Sequence, residues 1–456
     1  MASVEVSSLE MLEEALASGD VAALESLLES LNPADITYAV AHLEEHDQSR
    51  LLTLLSPAAA AHVIEVIPEA AVARAVAALP AESAAAIVHE LPSDEQADLL
   101  SAIDEDDVNA ILALLPPEEA EDVRALSRHQ ADEAGGLMVT EYLAYPQGLT
   151  CADVVDDLRK HAEDYARYNV QYIYIIDEEE RLTGVARLRD LVLRSGNTPL
   201  SRILLRDPHS MKVDAPLQEL ESFFDEHRFF GVPVVDEAGV LLGVVQRDAV
   251  EEALAEKSGS DLLRSRGIVG GEELRTMPLF TRSRRRLGWL SINIVLNIIA
   301  ASVIAVFQDT LEAVITLAVF LPIISDMSGC SGNQAVAVSM RELSLNLVRP
   351  AEMFRVWLKE ITVGMINGTV LGCLVAIAGY LYGGNAWLGL VVGVALAINT
   401  MIAVSIGGTV PLLLRRLKKD PALASGPILT TVTDMCGFFL VLGLATLLLS
   451  KLTTGT

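Results

Sequence analysis

The sequence predicts a multidomain chain: an all-α helical superhelix (residues 1–135), a duplicated α/β unit (136–247), a connecting helix (248–275) and an α-helical membrane domain of five spans (276–456). Three observations carry this. Helix-punctuating residues recur about every twelve positions early in the chain, a strand–helix pattern is repeated in the middle, and apolar stretches of membrane-crossing length fill the last part. The charge divides in the same way. The formal net charge is −29, yet residues 1–275 hold 20 Lys+Arg against 54 Asp+Glu (net −34) and residues 276–456 hold 13 against 8 (net +5). An acidic soluble part argues against nucleic-acid binding and for attraction to cations, although such surfaces are often only solvating. Cys151, Cys330, Cys373 and Cys436 are far apart, so neither a disulfide framework nor a zinc site is expected. The first residues, MASVEVSSLEMLEEAL, lack the basic and apolar regions of a cleavable signal.

In the first part the punctuation falls at Pro57, Pro68, Pro80, Pro92, Asp104 and Pro116, with Ala/Leu/Val/Ile-rich runs between. Proline is accepted in the first turn of a helix and ends the preceding one, so this reads as a solenoid-like stack of short helices. Acids gather late in it. Asp94 and Asp98 stand four apart on one helix face, followed by Asp104 to Asp107. They form either a solvated face or half of a divalent-cation site.

After Gly135-Gly136 the period changes. YIYIIDEEERLTGVARLRDLV is echoed by GVPVVDEAGVLLGVVQRDAVE: strand, Asp, acidic turn, Gly-Val, then a helix. CADVVDDLRKHAED and DAPLQELESFFDEHR supply a helix to each copy. This duplication resembles a tandem CBS-domain pair, a regulatory module that often binds adenine nucleotides or metals. Nucleotide-binding copies commonly carry Ser/Thr three residues before an Asp. Here Arg187 precedes Asp190, and Gln246 precedes Ala249, which weighs against an adenine nucleotide.

A helical connector follows, ending at Gly270-Gly271, then four arginines (Arg282, Arg284, Arg285, Arg286) before the first span. The spans are expected at about 287–307, 311–340, 357–382, 386–414 and 427–450. Basic residues mark the cytoplasmic loops. Arg341, Arg349, Arg355 and Lys359 lie between the second and third spans, and Arg415, Arg416, Lys418 and Lys419 between the fourth and fifth. The other two loops carry none, so the amino-terminal part faces the cytosol and the carboxyl terminus the outside.

Chemistry concentrates in two spans. Asp434 sits in the otherwise apolar stretch Pro427 to Leu449 and shares a helix face with Pro427, Thr430 and Thr431. A mid-bilayer carboxylate costs roughly 2.5–3.5 kcal/mol on insertion scales, which makes it a functional candidate; a hydrogen-bonded structural Asp is the alternative. The second span places Ser325, Asp326, Ser328, Ser331, Asn333 and Gln334 among Pro322, Gly329 and Gly332. Such polarity predicts interrupted backbone lining a cavity, with carbonyl, carboxamide and carboxylate oxygens suited to hard cations; close helix packing by the glycines is the competing explanation.

The motifs SGCSGNQ (Ser328 to Gln334), DPALASGP (Asp420 to Pro427) and Thr433-Asp434, in this domain order, resemble the MgtE family of magnesium channels and transporters along essentially the whole chain. The resemblance implies a homodimer in the cell's inner membrane, its pore on the dimer axis and lined by the second and fifth spans. Asp434 would hold a largely hydrated Mg²⁺, with the Gly329 carbonyl and Asn333 nearby. It also implies regulatory Mg²⁺ bound between Asp94 and Asp98 on one side and Asp248, Glu252 and Asp261 on the other, closing the pore when cytosolic Mg²⁺ is high. The chain departs from the family at Asp326, an additional carboxylate, and in a connector diluted by Arg247, Ala249, Lys257 and Ser260. Two rival readings remain: a CBS-regulated carrier for Co²⁺, Mn²⁺ or Na⁺, and an intramembrane aspartyl protease using Asp326 and Asp434 as a dyad. Neither aspartate stands in the Tyr-Asp or Gly-x-Gly-Asp context that such proteases show. No Walker-type loop is present for coupling to ATP.

Overall fold

Prolines set the frame of the first helical array. A computed structural model describes the chain except residues 1, 164, 166, 167, 169, 170, 272, 276, 346, 418, 420 and 454–456; Lys418 and Asp420, named above, thus lie outside the described residues. The chain forms two compact units, Met1–Glu256 and Lys257–Thr456. The first opens with α1 (Ala2–Ser18), α2 (Val21–Ser30), α3 (Pro33–His42), α4 (Glu45–Leu54), α5 (Pro57–Glu65), α6 (Glu69–Ala77), α7 (Ala81–Val88), α8 (Ser93–Ser101), α9 (Glu105–Leu112) and α10 (Pro117–Leu126). Pro57 is an N1 residue, as expected, but Pro68, Pro80, Pro92 and Pro116 stand one position earlier, at the N-cap. There the missing N–H costs nothing, while the carbonyl accepts the first helical bond: Ala84 N–H to Pro80 at 3.0 Å, Gln96 N–H to Pro92 at 2.9 Å. Each helix packs on the one two further along, α4 on α6 through α8 on α10, so every unit buries its neighbours' Leu, Val and Ile.

After α11 (Ala134–Leu137) come β1 (Met138–Val139), β2 (Ala144–Pro146), α12 (Cys151–Lys160), β3 (Tyr172–Ile176), β4 (Leu182–Arg187), α13 (Leu188–Leu193), β5 (Leu205–Arg206), β6 (Met211–Lys212), α14 (Leu217–Glu226), β7 (Gly231–Val235) and β8 (Leu241–Gln246). The duplication is physical. Strand order is β2-β3-β4-β5 in one sheet and β1-β8-β7-β6 in the other, and both central hairpins carry a register shift at the same place, Ile175/Ile176 and Val234/Val235. Both turns are tied by an aspartate: Asp177 accepts the N–H groups of Glu179 and Arg181, and Asp236 those of Ala238 and Val240. The left-handed position is Gly239 (φ 86°) in the second copy but Glu180 (φ 61°) in the first, a strained choice for a residue with a Cβ. Val139, Tyr174, Leu241 and Val244 form a shared core between the copies. α15 (Arg247–Ser265) follows.

The second unit contains α16 (Leu279–Val306), α17 (Gln308–Ala313), α18 (Leu317–Ser344), α19 (Met353–Gly383), α20 (Ala386–Arg416), α21 (Pro421–Leu447) and α22 (Leu449–Thr453). Among the described residues four helices are both long and apolar enough to cross a membrane: Leu279–Val306, Pro350–Gly383, Ala386–Arg416 and Gly426–Leu447. α18, the expected second span, has 28 residues and hence the length, but its polar run keeps it out of that group. Its backbone corrects the sequence-based expectation of an interrupted span. α18 is continuous through Pro322, Gly329 and Gly332, so the Gly329 carbonyl stands in a helical ladder and is not freed by a break. The glycines act in packing. A Cβ at Gly407 would stand 2.2 Å from the Gly332 carbonyl oxygen, and one at Gly368 2.5 Å from that of Ala397, so α18 and α19 approach α20 backbone to backbone.

Candidate metal sites

Three helices meet at the buried carboxylate. Asp434 of α21 is 8% exposed and accepts a hydrogen bond from Ser325 Oγ of α18. The preceding carbonyl, of Thr433, accepts Nδ2 of the fully buried Asn399 on α20 at 3.1 Å. One turn on, Gly437 leaves space for that amide: a Cβ there would stand 2.7 Å from Asn399 Nδ2 and 3.3 Å from Ile324 Cγ2. The hydroxyls of Thr430 and Thr431 bond back to the carbonyls of Gly426 and Pro427, where Pro427 interrupts the N–H ladder. Among the side-chain oxygens of the expected polar stripe, the Asp434 carboxylate is therefore the one held by a neighbouring helix, through Ser325 of α18.

The other expected pore residues divide. Gly329 is buried, with no heavy atom within 4 Å of where a Cβ would lie, while Asp326 and Asn333 are exposed. Asp326, Cys330 and Asn333 recur at i, i+4 and i+7 and so share one outward face of α18. Asp326 follows Ser325 by one residue, roughly 100° around the helix, and does not share the buried setting of Asp434. An equivalent, proton-sharing dyad is not what this pair forms. Sequence reasoning missed Ser325 as a partner and Asn399 altogether. Asn399 gave the signal that exposed Asp434, a polar side chain inside an apolar span.

In the first unit acids surround the start of α8. Ser93, buried, donates to Glu141 Oε2 at 2.8 Å and accepts the Thr140 N–H at 2.9 Å, so the segment before β2 is fastened to the helical array. Asp94 accepts the Glu95 N–H at 2.9 Å. Burial, reinforced by Glu141 and Asp98, pushes the Asp94 carboxyl up to about 7 against that hydrogen bond. Burial followed by the charges of Asp94, Glu65, Glu252 and Asp98 pushes Glu95 up to about 8. Asp94, Asp98 and Glu252 thus all lie within electrostatic reach of Glu95, and Glu141 joins the group through Asp94. Asp248 and Glu252 are exposed on the first turns of α15, and Asp261 belongs to the second unit. Among the described residues no three His, Cys, Asp or Glu side chains converge as a ready-made metal cage. The array is a set of carboxylates whose repulsion a divalent cation would relieve, by direct ligation or through its waters.

Beside it lies a cavity of about 180 Å³ lined by Glu141, Tyr142, Tyr172, Phe230, Arg247 and Asp248, among others. Arg247 is its cation, yet the guanidinium is engaged. It donates to the carbonyls of Phe229, Phe224 and His227 at 2.9, 2.6 and 2.6 Å and lies 5.0 Å over the Phe224 ring.

Three family profiles match the chain: a divalent cation transporter domain over residues 321–444, an intracellular N domain of the same transporters over 10–132, and a CBS domain over 200–256. A magnesium transporter MgtE of Thermus thermophilus is 34% identical over 332 residues, 72% of each chain. Its Bacillus subtilis counterpart is 31% identical over 331 residues, again 72% of each. The solved cytosolic domain of an Mg²⁺ channel MgtE in complex with ATP is 35% identical, with a TM-score of 0.50, covering 54% of this chain and 99% of that one.

Proposed function

The chain belongs to the MgtE family of divalent cation transporters, and from that membership we propose that it conducts Mg²⁺ across the membrane down its electrochemical gradient. Members are transporters and not enzymes, which removes the protease reading. The observation that carries the proposal is Asp434, nearly buried in a span-length helix and hydrogen-bonded by Ser325 of α18. A hard ion that dehydrates reluctantly suits one or two carboxylates acting on its water shell. A membrane potential supplies about 4.6 kcal/mol per 100 mV for a divalent cation, so inward flow needs no ATPase.

The division into 1–135, 136–247, 248–275 and 276–456 is part of this reading, as are five spans with a cytosolic amino-terminal part and an external carboxyl terminus. We take the functional form to be a homodimer. The face of α18 bearing Asp326 and Asn333 supports this, since an aspartate turned to lipid is costly and a second copy would cover it. Within that pore Asp434, Gly329 and Asn333 face the ion, with Asp326 as an additional charge. Gating follows from the acidic group: Mg²⁺ bound among Asp94, Asp98, Asp248, Glu252 and Asp261 stabilises a closed arrangement by mass action, and its loss lets like charges separate. The ATP complex of the related cytosolic domain keeps nucleotide binding open for this chain. The carboxylates of the cavity and the engagement of Arg247 make its affinity for a polyphosphate low.

Flux into proteoliposomes, with Mg²⁺ varied separately on each side, tests the reading. Wild type should pass Mg²⁺ and Asp434→Ala should lose at least tenfold. Unchanged flux and selectivity in the variant would remove Asp434 from the pathway. Preference for Co²⁺, Mn²⁺ or Na⁺ over Mg²⁺ would favour the alternative cation carrier.

A further inference from the structure

The membrane unit carries three buried side-chain oxygens that have no hydrogen-bond partner among the described residues: Ser328 Oγ, Asn399 Oδ1 and Thr400 Oγ1. All three residues are fully buried. Register brings them to one layer. On α20, Thr400, Ala403 and Gly407 recur at i, i+3 and i+7, and both Ala403 and Gly407 pack against Gly332 of α18. On α18, Ser328 lies one turn before Gly332 and one turn after Ile324, which adjoins Asn399 around Gly437. Orphaned polar atoms in a packed interior are rare, and three in one layer between the same helices mark a place for a polar guest.

We propose that Ser328, Asn399 and Thr400 bind an internal water molecule in each protomer, and that through this water Asn399 acts as a positioning residue for Asp434. The donor set selects water. Asn399 Oδ1 accepts only and the two hydroxyls both donate and accept, which matches the two to four bonds a buried water makes. Three neutral oxygens without a carboxylate fall short of the six to eight that a bare hard cation takes. The consequence passes through the amide. With its oxygen fixed by water, Asn399 keeps Nδ2 on the Thr433 carbonyl, directly before Asp434. Released, the amide can rotate and set oxygen against oxygen, loosening the main chain that carries the carboxylate. The absence of a Cβ at Gly437 gives that Nδ2 its room, so the sequence of α21 is adapted to the contact.

The positioning role rests on the reading of Asp434 given above; the water does not. A density map of the full-length protein in nanodiscs, at a resolution that shows ordered solvent, should reveal a peak within hydrogen-bond distance of all three oxygens. No peak there overturns the proposal. In flux assays the Ser328→Ala, Thr400→Val pair should raise half-saturating Mg²⁺ about three- to tenfold, the size of one lost hydrogen bond, with maximal flux changed less than about twofold. Thr400→Ser, which restores the hydroxyl, should recover most of that affinity. A double variant with wild-type half-saturation overturns the positioning role, and so does flux that survives Asp434→Asn, which also removes the reading it rests on.

Discussion

Replacing Asp94 by Asn tests the acidic group through the protons it holds. Burial and neighbouring acids raise Asp94 to about 7 and Glu95 to about 8, from ordinary values of 3.8 and 4.5. Raised carboxyls stabilise the folded unit fully below about pH 4, and that contribution disappears as pH climbs through 7 and 8. A divalent cation needs the ionised forms, so its binding must expel whatever protons remain. If both carboxylates take part, binding should release about 1.7 protons per ion at pH 6.5 and about 0.3 at pH 8.5. The apparent affinity should then rise several hundred-fold from pH 6 to pH 8, against about tenfold if Asp94 acts alone. Asp94→Asn should bring the release at pH 6.5 down to about one. Calorimetric titration of Mg²⁺ into the full-length protein, repeated in buffers of different ionisation enthalpy, counts these protons directly. Equal release at pH 6.5 and 8.5, or an affinity constant within twofold across that range, would refute the reasoning.

Three further outcomes follow from contacts described above. Ser325→Ala removes the hydroxyl that holds Asp434, so half-saturating Mg²⁺ should rise by about threefold or more in the flux assay, consistent with losing a hydrogen bond to a charged group. Gly407→Val would drive a side chain into the Gly332 carbonyl; the α18–α20 contact should open and the melting temperature in detergent fall by several degrees or more. Arg247→Ala leaves the carbonyls of Phe224, His227 and Phe229 without their donor, and should destabilise the second CBS copy by about 2–4 kcal/mol, read as faster amide exchange in β7 and β8.

Where the sequence was legible, a local rule sufficed. The prolines marked helix starts because a residue without an N–H fits only where no helical bond is required, and the structure moves most of them by one position, from N1 to the N-cap. Both CBS copies were visible because the same run of strand, Asp-anchored turn and strand occurs twice, at Tyr172–Arg187 and Gly231–Gln246. The misreading at α18 came from treating glycine and proline as helix breakers in an element that neighbours hold straight. There Gly332 is retained for contact with α20, and tertiary packing overrides propensity. Asn399 stayed hidden for a different reason. It is one uncharged polar residue in a long apolar run, and its meaning depends on Ser328 and Thr433, which lie on other helices. The acidic group was only half visible, because Glu141 comes from the segment before β2 and reaches Ser93 and Asp94 through the fold, which residue spacing does not report.

The pairing of β1 with β8 has a consequence for how the chain comes into being. Met138 finds its partner in Val245, so an edge made early has to wait for more than a hundred residues of synthesis. At about 5–20 residues per second that is roughly 5–20 s during which the first strand of the sheet is exposed on a nascent chain. The closing strand emerges just ahead of α15 and the first membrane helix. Completion of the cytosolic sheet and delivery of the chain to the membrane are therefore nearly simultaneous events, and a pause in translation before β8 would leave an unpaired strand edge available to other nascent chains.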